Sequence, residues 1–164
     1  MNGAAGEASV RRLTIVLADL ARDVVAATAA EQVELLAAVT DRWEAGDVPG
    51  RRRWGWMGGS VGSGIDPAAT SEIIYPLLTG TLAQVLGTGA VVGWRRRWRR
   101  RRHSEVPAVP RTQVTLDADQ IELLRSACIS HGVALGLSRS KATILADAVH
   151  GALCRAMAET HRQP

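Results

Sequence analysis

Three observations predict a mainly α-helical chain built in consecutive pieces. Apolar residues recur at three- and four-residue spacing near both ends. An uncharged stretch of 22 residues, 73–94, is followed at once by seven arginines. One short alternating stretch, 111–116, precedes the last helices and reads as a strand. The pieces are an α-helical N-terminal segment (1–48), a Gly/Arg-rich linker (49–72), an apolar helix with an Arg-rich end (73–102), a Pro spacer (103–110) and a strand–helix–helix (β-α-α) unit (111–164).

At 164 residues and 17.5 kDa the chain has room for one domain or two small ones. With 46% hydrophobic and 22% charged residues it is composed like a folded protein, which excludes wholesale disorder. Lys141 is its only lysine among 20 basic residues. The net charge of +4 hides segregation: residues 1–50 carry −4, residues 51–110 carry +7 and residues 111–164 carry +1. An acidic head, a basic middle and a near-neutral tail follow.

The N-terminal pattern places Leu13, Leu17, Leu20 and Val24 on one helical face, and Val33, Leu36, Val39 and Trp43 on another. This predicts helix over 9–45, as a hairpin or one long helix, with a stripe free to take a protein partner. Gly46, Pro49 and Gly50 end it. The glycines of 58–64 lack the following Gly-Lys-Ser/Thr and the preceding strand of a phosphate loop, so they read as linker. Asp19, Arg22 and Asp23 break the first apolar run too early for a secretory signal.

Residues 73–94 are long enough to cross a bilayer, which takes about 20 apolar residues. Trp94 precedes and Trp98 interrupts the basic run Arg95, Arg96, Arg97, Arg99, Arg100, Arg101 and Arg102, as interfacial anchors at the boundary with a cytoplasmic face do. Gly80, Gly87, Gly89, Gly93 and Pro76 dilute the apolarity. Three placements therefore fit: a spanning helix, a segment that dips into the membrane and returns, and a buried core helix. The seven arginines suit two polyanions equally, the headgroups of an anionic membrane surface and nucleic-acid phosphates. The expected location is the cytoplasm, with a tether at the inner membrane face if the apolar run spans.

In the last third, Val114 and Leu116 point to one face of the predicted strand and Arg111, Gln113 and Thr115 to the other. Asp117 caps a helix with the stripe Ile121, Leu124 and Cys128. After a loop marked by Gly132 and Gly136, Ser140 caps a second helix with Ile144, Leu145, Ala148, Val149, Ala152 and Leu153 inward. A strand this short has no sheet of its own, so a second copy is expected to satisfy its backbone.

This order resembles the ribbon-helix-helix family of DNA-binding proteins, over residues 111–160 only. The strand Gln113-Val114-Thr115-Leu116, the start of the first helix at Asp119–Leu124 and the run from Ser140 to Val149 carry the likeness. The resemblance implies a homodimer whose paired strands enter the major groove of double-stranded DNA, with Arg111, Gln113 and Thr115 reading bases. A two-stranded ribbon fits that groove, and Arg, Gln and Thr suit guanine, adenine and thymine edges. The amides of Ser140, Lys141 and Ala142 are placed to hold a DNA phosphate. The loop from His131 to Arg139 is longer than the family's compact turn.

The expected function is thus a homodimeric, sequence-specific DNA-binding protein, a transcriptional regulator or mobile-element accessory factor. The alternative is a small membrane-associated adaptor in which residues 111–160 only dimerise. Cys128 and Cys154 form no metal-ligand motif, and His103, His131, His150 and His161 are scattered without a Cys or carboxylate at catalytic spacing. No enzyme activity, cofactor or metal is expected.

Overall fold

Thr14, Ile15 and Val16 are three β-branched residues in succession, which favour extended backbone over helix. In the computed structural model, which describes residues 12–46, 67–87, 109–160 and 162, they lie in a strand, β1 (Arg12–Val16). It pairs antiparallel with β2 (Gln113–Asp117) in the register Arg12↔Asp117, Leu13↔Leu116, Thr14↔Thr115, Ile15↔Val114 and Val16↔Gln113. The expectation of helix from residue 9 is corrected here. Leu13 and Leu17 do share the core, but one is the inward residue of a strand and the other opens a helix. The partner expected from a second copy comes from the same chain.

Helix α1 (Leu17–Thr28) follows β1 without a break and buries Leu17, Leu20, Ala21, Val24 and Val25. The Leu17 amide donates to the Thr112 carbonyl at 3.0 Å, which ties the helix start to the approach to β2. A 3₁₀ turn at Ala30–Gln32 leads into α2 (Val33–Glu44), so the segment is two helices and not one. Leu36, Val39 and Trp43 of the expected stripe are buried, while Val33 is half-buried.

Helix α3 (Pro67–Val85) starts inside the expected linker, with proline at the first helical position where its missing N–H costs nothing. From Thr70 to Val85 only Glu72 and Gln84 are exposed. A helix apolar on nearly all sides belongs in a core, and α3 packs against α1, α2 and the helix after β2. Trp43 meets Tyr75 with ring centroids 5.4 Å apart, and the Tyr75 and Thr40 hydroxyls share a 2.7 Å hydrogen bond. Among the described residues no helix is long and apolar enough to cross a membrane. Residues 73–85 are thus the core-helix placement of the uncharged run, and 88–94 lie outside the described residues.

Helix α4 (Ala118–Ala134) opens with a reciprocal cap: Gln120 N donates to Asp117 Oδ1 at 2.8 Å, and Asp117 N donates to Gln120 Oε1 at 3.0 Å. It runs on to Ala134, and Gly136, at φ +93°, makes the left-handed turn after it. Helix α5 (Arg139–Thr160) packs back along α4, joined by Arg125–Asp147 at 2.6 Å and His150–Glu122 at 3.0 Å. Leu145, Val149, Ala152 and Leu153 are buried as expected, Ala148 is half-buried, and Ile144, expected inward, is exposed.

The layout is nearly twofold. Each strand runs directly into a helix, α1 or α4, and each of those two packs against both α3 and α5. The apolar–Thr–apolar triplets Leu13-Thr14-Ile15 and Val114-Thr115-Leu116 sit at matching positions, and α2 is an insertion in the first half only.

His131 locks α4 to α3. Its ring fills the space above Gly80, where any Cβ would collide with it, and it hydrogen-bonds to the Pro76 carbonyl. Burial holds its pKa below the ordinary 6.5 and outweighs that hydrogen bond. The fold therefore favours the neutral ring. This contribution is complete above about pH 6.5 and is lost as pH falls below it, because the unfolded chain takes up the proton first. In urea titrations the unfolding midpoint should fall between pH 7 and pH 5, and the fall should shrink in His131→Gln.

Candidate nucleic-acid interface

The alternation of two five-residue strands separates an inward row from an outward one. Leu13, Val114 and Leu116 are buried and Ile15 half-buried, facing the helices. Arg12, Thr14, Gln113 and Thr115 are exposed on the other face, with Val16 and Asp117 half-buried at its ends. At the centre the Thr14 and Thr115 hydroxyls hydrogen-bond to each other at 2.9 Å. Beside Arg12 a hollow of about 250 Å³ is lined by Arg12, Thr115, Leu116, Asp117 and Gln120. Arg12 has no ion-pair partner among the described residues, and the Gln113 side chain has no hydrogen-bond partner among them. The face therefore presents a guanidinium and an amide without such partners on either side of a hydrogen-bonded pair of hydroxyls.

Of the three residues expected to read bases, Gln113 and Thr115 occupy this face and Arg111 does not. Arg111 ends a 3₁₀ turn, Val109–Arg111, just before β2, and its Nη2 lies 2.6 Å from Glu44 Oε2. That hydrogen bond holds the Glu44 carboxyl below the usual range and raises the Arg111 pKa. Arg111 thus fastens the entry of β2 to the end of α2. Val109 and Pro110 are buried behind it, which turns the chain so that alternation begins only at Gln113.

The expected phosphate residues are also shifted. Ser138, not Ser140, caps α5: its Oγ accepts from Lys141 N at 3.3 Å and its carbonyl accepts from Ala142 N at 2.9 Å. Two of the three amides expected at an anion are therefore used internally, and Ala142 is buried against Gly132. Ser140 is exposed in the first turn. Arg139 and Lys141 have no ion-pair partner among the described residues, so this helix start stays electropositive. The Arg-Ser-Lys order fits either serine as cap, and only the length of α4 decides between them.

Trp94, Trp98, Arg95, Arg96, Arg97, Arg99, Arg100, Arg101 and Arg102 lie outside the described residues. Their weight is large all the same. The described residues hold nine basic against twelve acidic side chains, so the basic excess of the chain lies in the other segments.

The sequence missed one cluster. Cys154 Sγ lies 3.7 Å from His150 Nε2, and that nitrogen lies 3.0 Å from Glu122 Oε1. His150 and Cys154 are four residues apart and share a helix face, a legible spacing, whereas Glu122 arrives only through the α4–α5 packing. Cys128, by contrast, is buried beside Thr81, and burial pushes its thiol up to about 11, which keeps it protonated and unreactive at neutral pH.

Replacing the cap at Ser138 by alanine should cost about 0.5–2 kcal/mol in chemical denaturation, and Ser140→Ala much less. The reverse order would restore Ser140 as the cap. No protein-family model matches the chain, and neither does any curated protein or solved structure.

Proposed function

We propose that this chain binds double-stranded DNA with sequence preference through the outward face of the β1–β2 ribbon, as the resemblance to ribbon-helix-helix proteins implies. The observation that carries the reading is a two-stranded antiparallel ribbon with apolar residues inward and Arg12, Thr14, Gln113 and Thr115 outward. Such a ribbon has the dimensions of the major groove, and these residue types match base edges there. The pairing within one chain supplies the ribbon that the family builds from two.

Affinity has a separate source. The described body carries more acid than base, so attraction to phosphate rests on the arginines of 51–53 and 95–102. That attraction is blind to sequence and weakens with salt. A regulator or an accessory factor at a mobile-element site would use the ribbon for choice and the arginines for adhesion.

Selection of the full chain on a random duplex library should enrich a motif. No enrichment would reduce the protein to a general polyanion binder and end this reading. Changing the seven arginines of 95–102 to glutamine should weaken binding to every duplex alike and flatten the slope of log K against log salt by several units, at about 0.9 for each phosphate no longer neutralised. The enriched motif should stay the same. Binding to anionic vesicles with equal affinity and no motif would favour the adaptor role.

A further inference from the structure

The two ends of the ribbon are chemically unlike. A ribbon made from two identical strands shows the same pair of residues at both ends, by symmetry. Here one end pairs Arg12 with Asp117 and the other pairs Val16 with Gln113, around a central Thr14–Thr115 pair. The capping is unequal too: Asp117 accepts from the Gln120 amide, whereas Val16 opens α1 with no side-chain cap. The hollow lies at the Arg12 end.

We infer that a single copy of the chain reads a non-palindromic duplex in one orientation, with Arg12 and Gln113 as the specificity-determining residues of opposite ends. The inference rests on the DNA-binding reading above. Successive outward rows of a strand are about 7 Å apart, so the three rows face roughly four base pairs at 3.4 Å each. At the first end the Arg12 guanidinium can take guanine O6 and N7 together, and it has no ion pair among the described residues to break. At the other end the Gln113 amide suits adenine N6 and N7, and the Val16 methyl groups suit a thymine methyl. At the centre the two threonine hydroxyls share one hydrogen bond at 2.9 Å, which uses one of their two donor protons and leaves weaker preference there.

Arg12 does not stand out in the sequence, because the spacing of Leu13 and Leu17 makes its strand look like helix. Both readers are exposed on the outward face, opposite the buried row of Leu13, Val114 and Leu116, so their substitution leaves that inward row intact.

The test is library selection with the full chain, followed by sedimentation of the complex on the enriched duplex. One copy per site and an asymmetric motif are expected. Arg12→Ala should lower discrimination at one end of the motif by about tenfold or more, and Gln113→Ala at the other end. The exchange variant, Arg12→Gln with Gln113→Arg, should move the guanine preference from one end to the other. A palindromic motif holding two copies would overturn the inference and leave DNA binding standing. An asymmetric motif unmoved by the exchange would also overturn it, by excluding the ribbon as reader. No enrichment would remove both the inference and the reading beneath it.

Discussion

Everything else in the structure depends on the backbone pairing of β1 with β2. A strand of five residues cannot satisfy its own amides and carbonyls, and an isolated two-stranded ribbon is marginal in water. The pairing is held because Leu13, Val114 and Leu116 are driven into the helical core from its inward face. It joins residues about a hundred positions apart and so brings the two halves of the chain together. It also decides what the outside presents, since a shift of one residue would exchange the outward row for the inward one.

The core follows from that closure. With α1 and α4 anchored at the two strands, α3 and α5 each lie against both of them. Helix α3 has the harder position, enclosed by α1, α2 and α4, and its sequence answers to it. The side chains are apolar nearly all round, and the threonine hydroxyls at 79 and 81 are turned back onto the carbonyls of Tyr75 and Leu77 at 2.8 and 2.7 Å. Gly80 leaves the space that the His131 ring fills. An uncharged run of this kind serves a crowded protein interior as well as it would serve lipid. The described residues are mildly acidic as a set, and most of the arginines of the chain stand in its other segments.

Much of this is legible in the sequence, and the failures share a cause. The stripes Leu20–Val24, Leu36–Val39–Trp43 and Leu145–Val149–Leu153 are periodic and lie buried as their spacing implies. The β2 strand and the Asp117 cap are readable because alternation and capping are local. The β1 strand is not, since Leu13 and Leu17 mimic one helical turn and the signal for extension, a partner at 113–117, is remote. Helix α3 is ambiguous for a similar reason: composition cannot tell lipid from a protein core. In the site, alternation finds Gln113 and Thr115, whereas Arg111 passes for a strand residue because the turn at Val109–Arg111 has no strong local signal. Ser140 passes for the cap in place of Ser138 because no local pattern marks how far α4 runs.

The central claim is that the ribbon closes within one chain. The most direct measurement is an isotope-filtered NOE experiment on an equal mixture of labelled and unlabelled protein. Contacts between Leu13 and Leu116 and between Ile15 and Val114 should appear only within labelled chains. The same contacts between labelled and unlabelled chains would show that the ribbon is made by two copies, and would contradict the account.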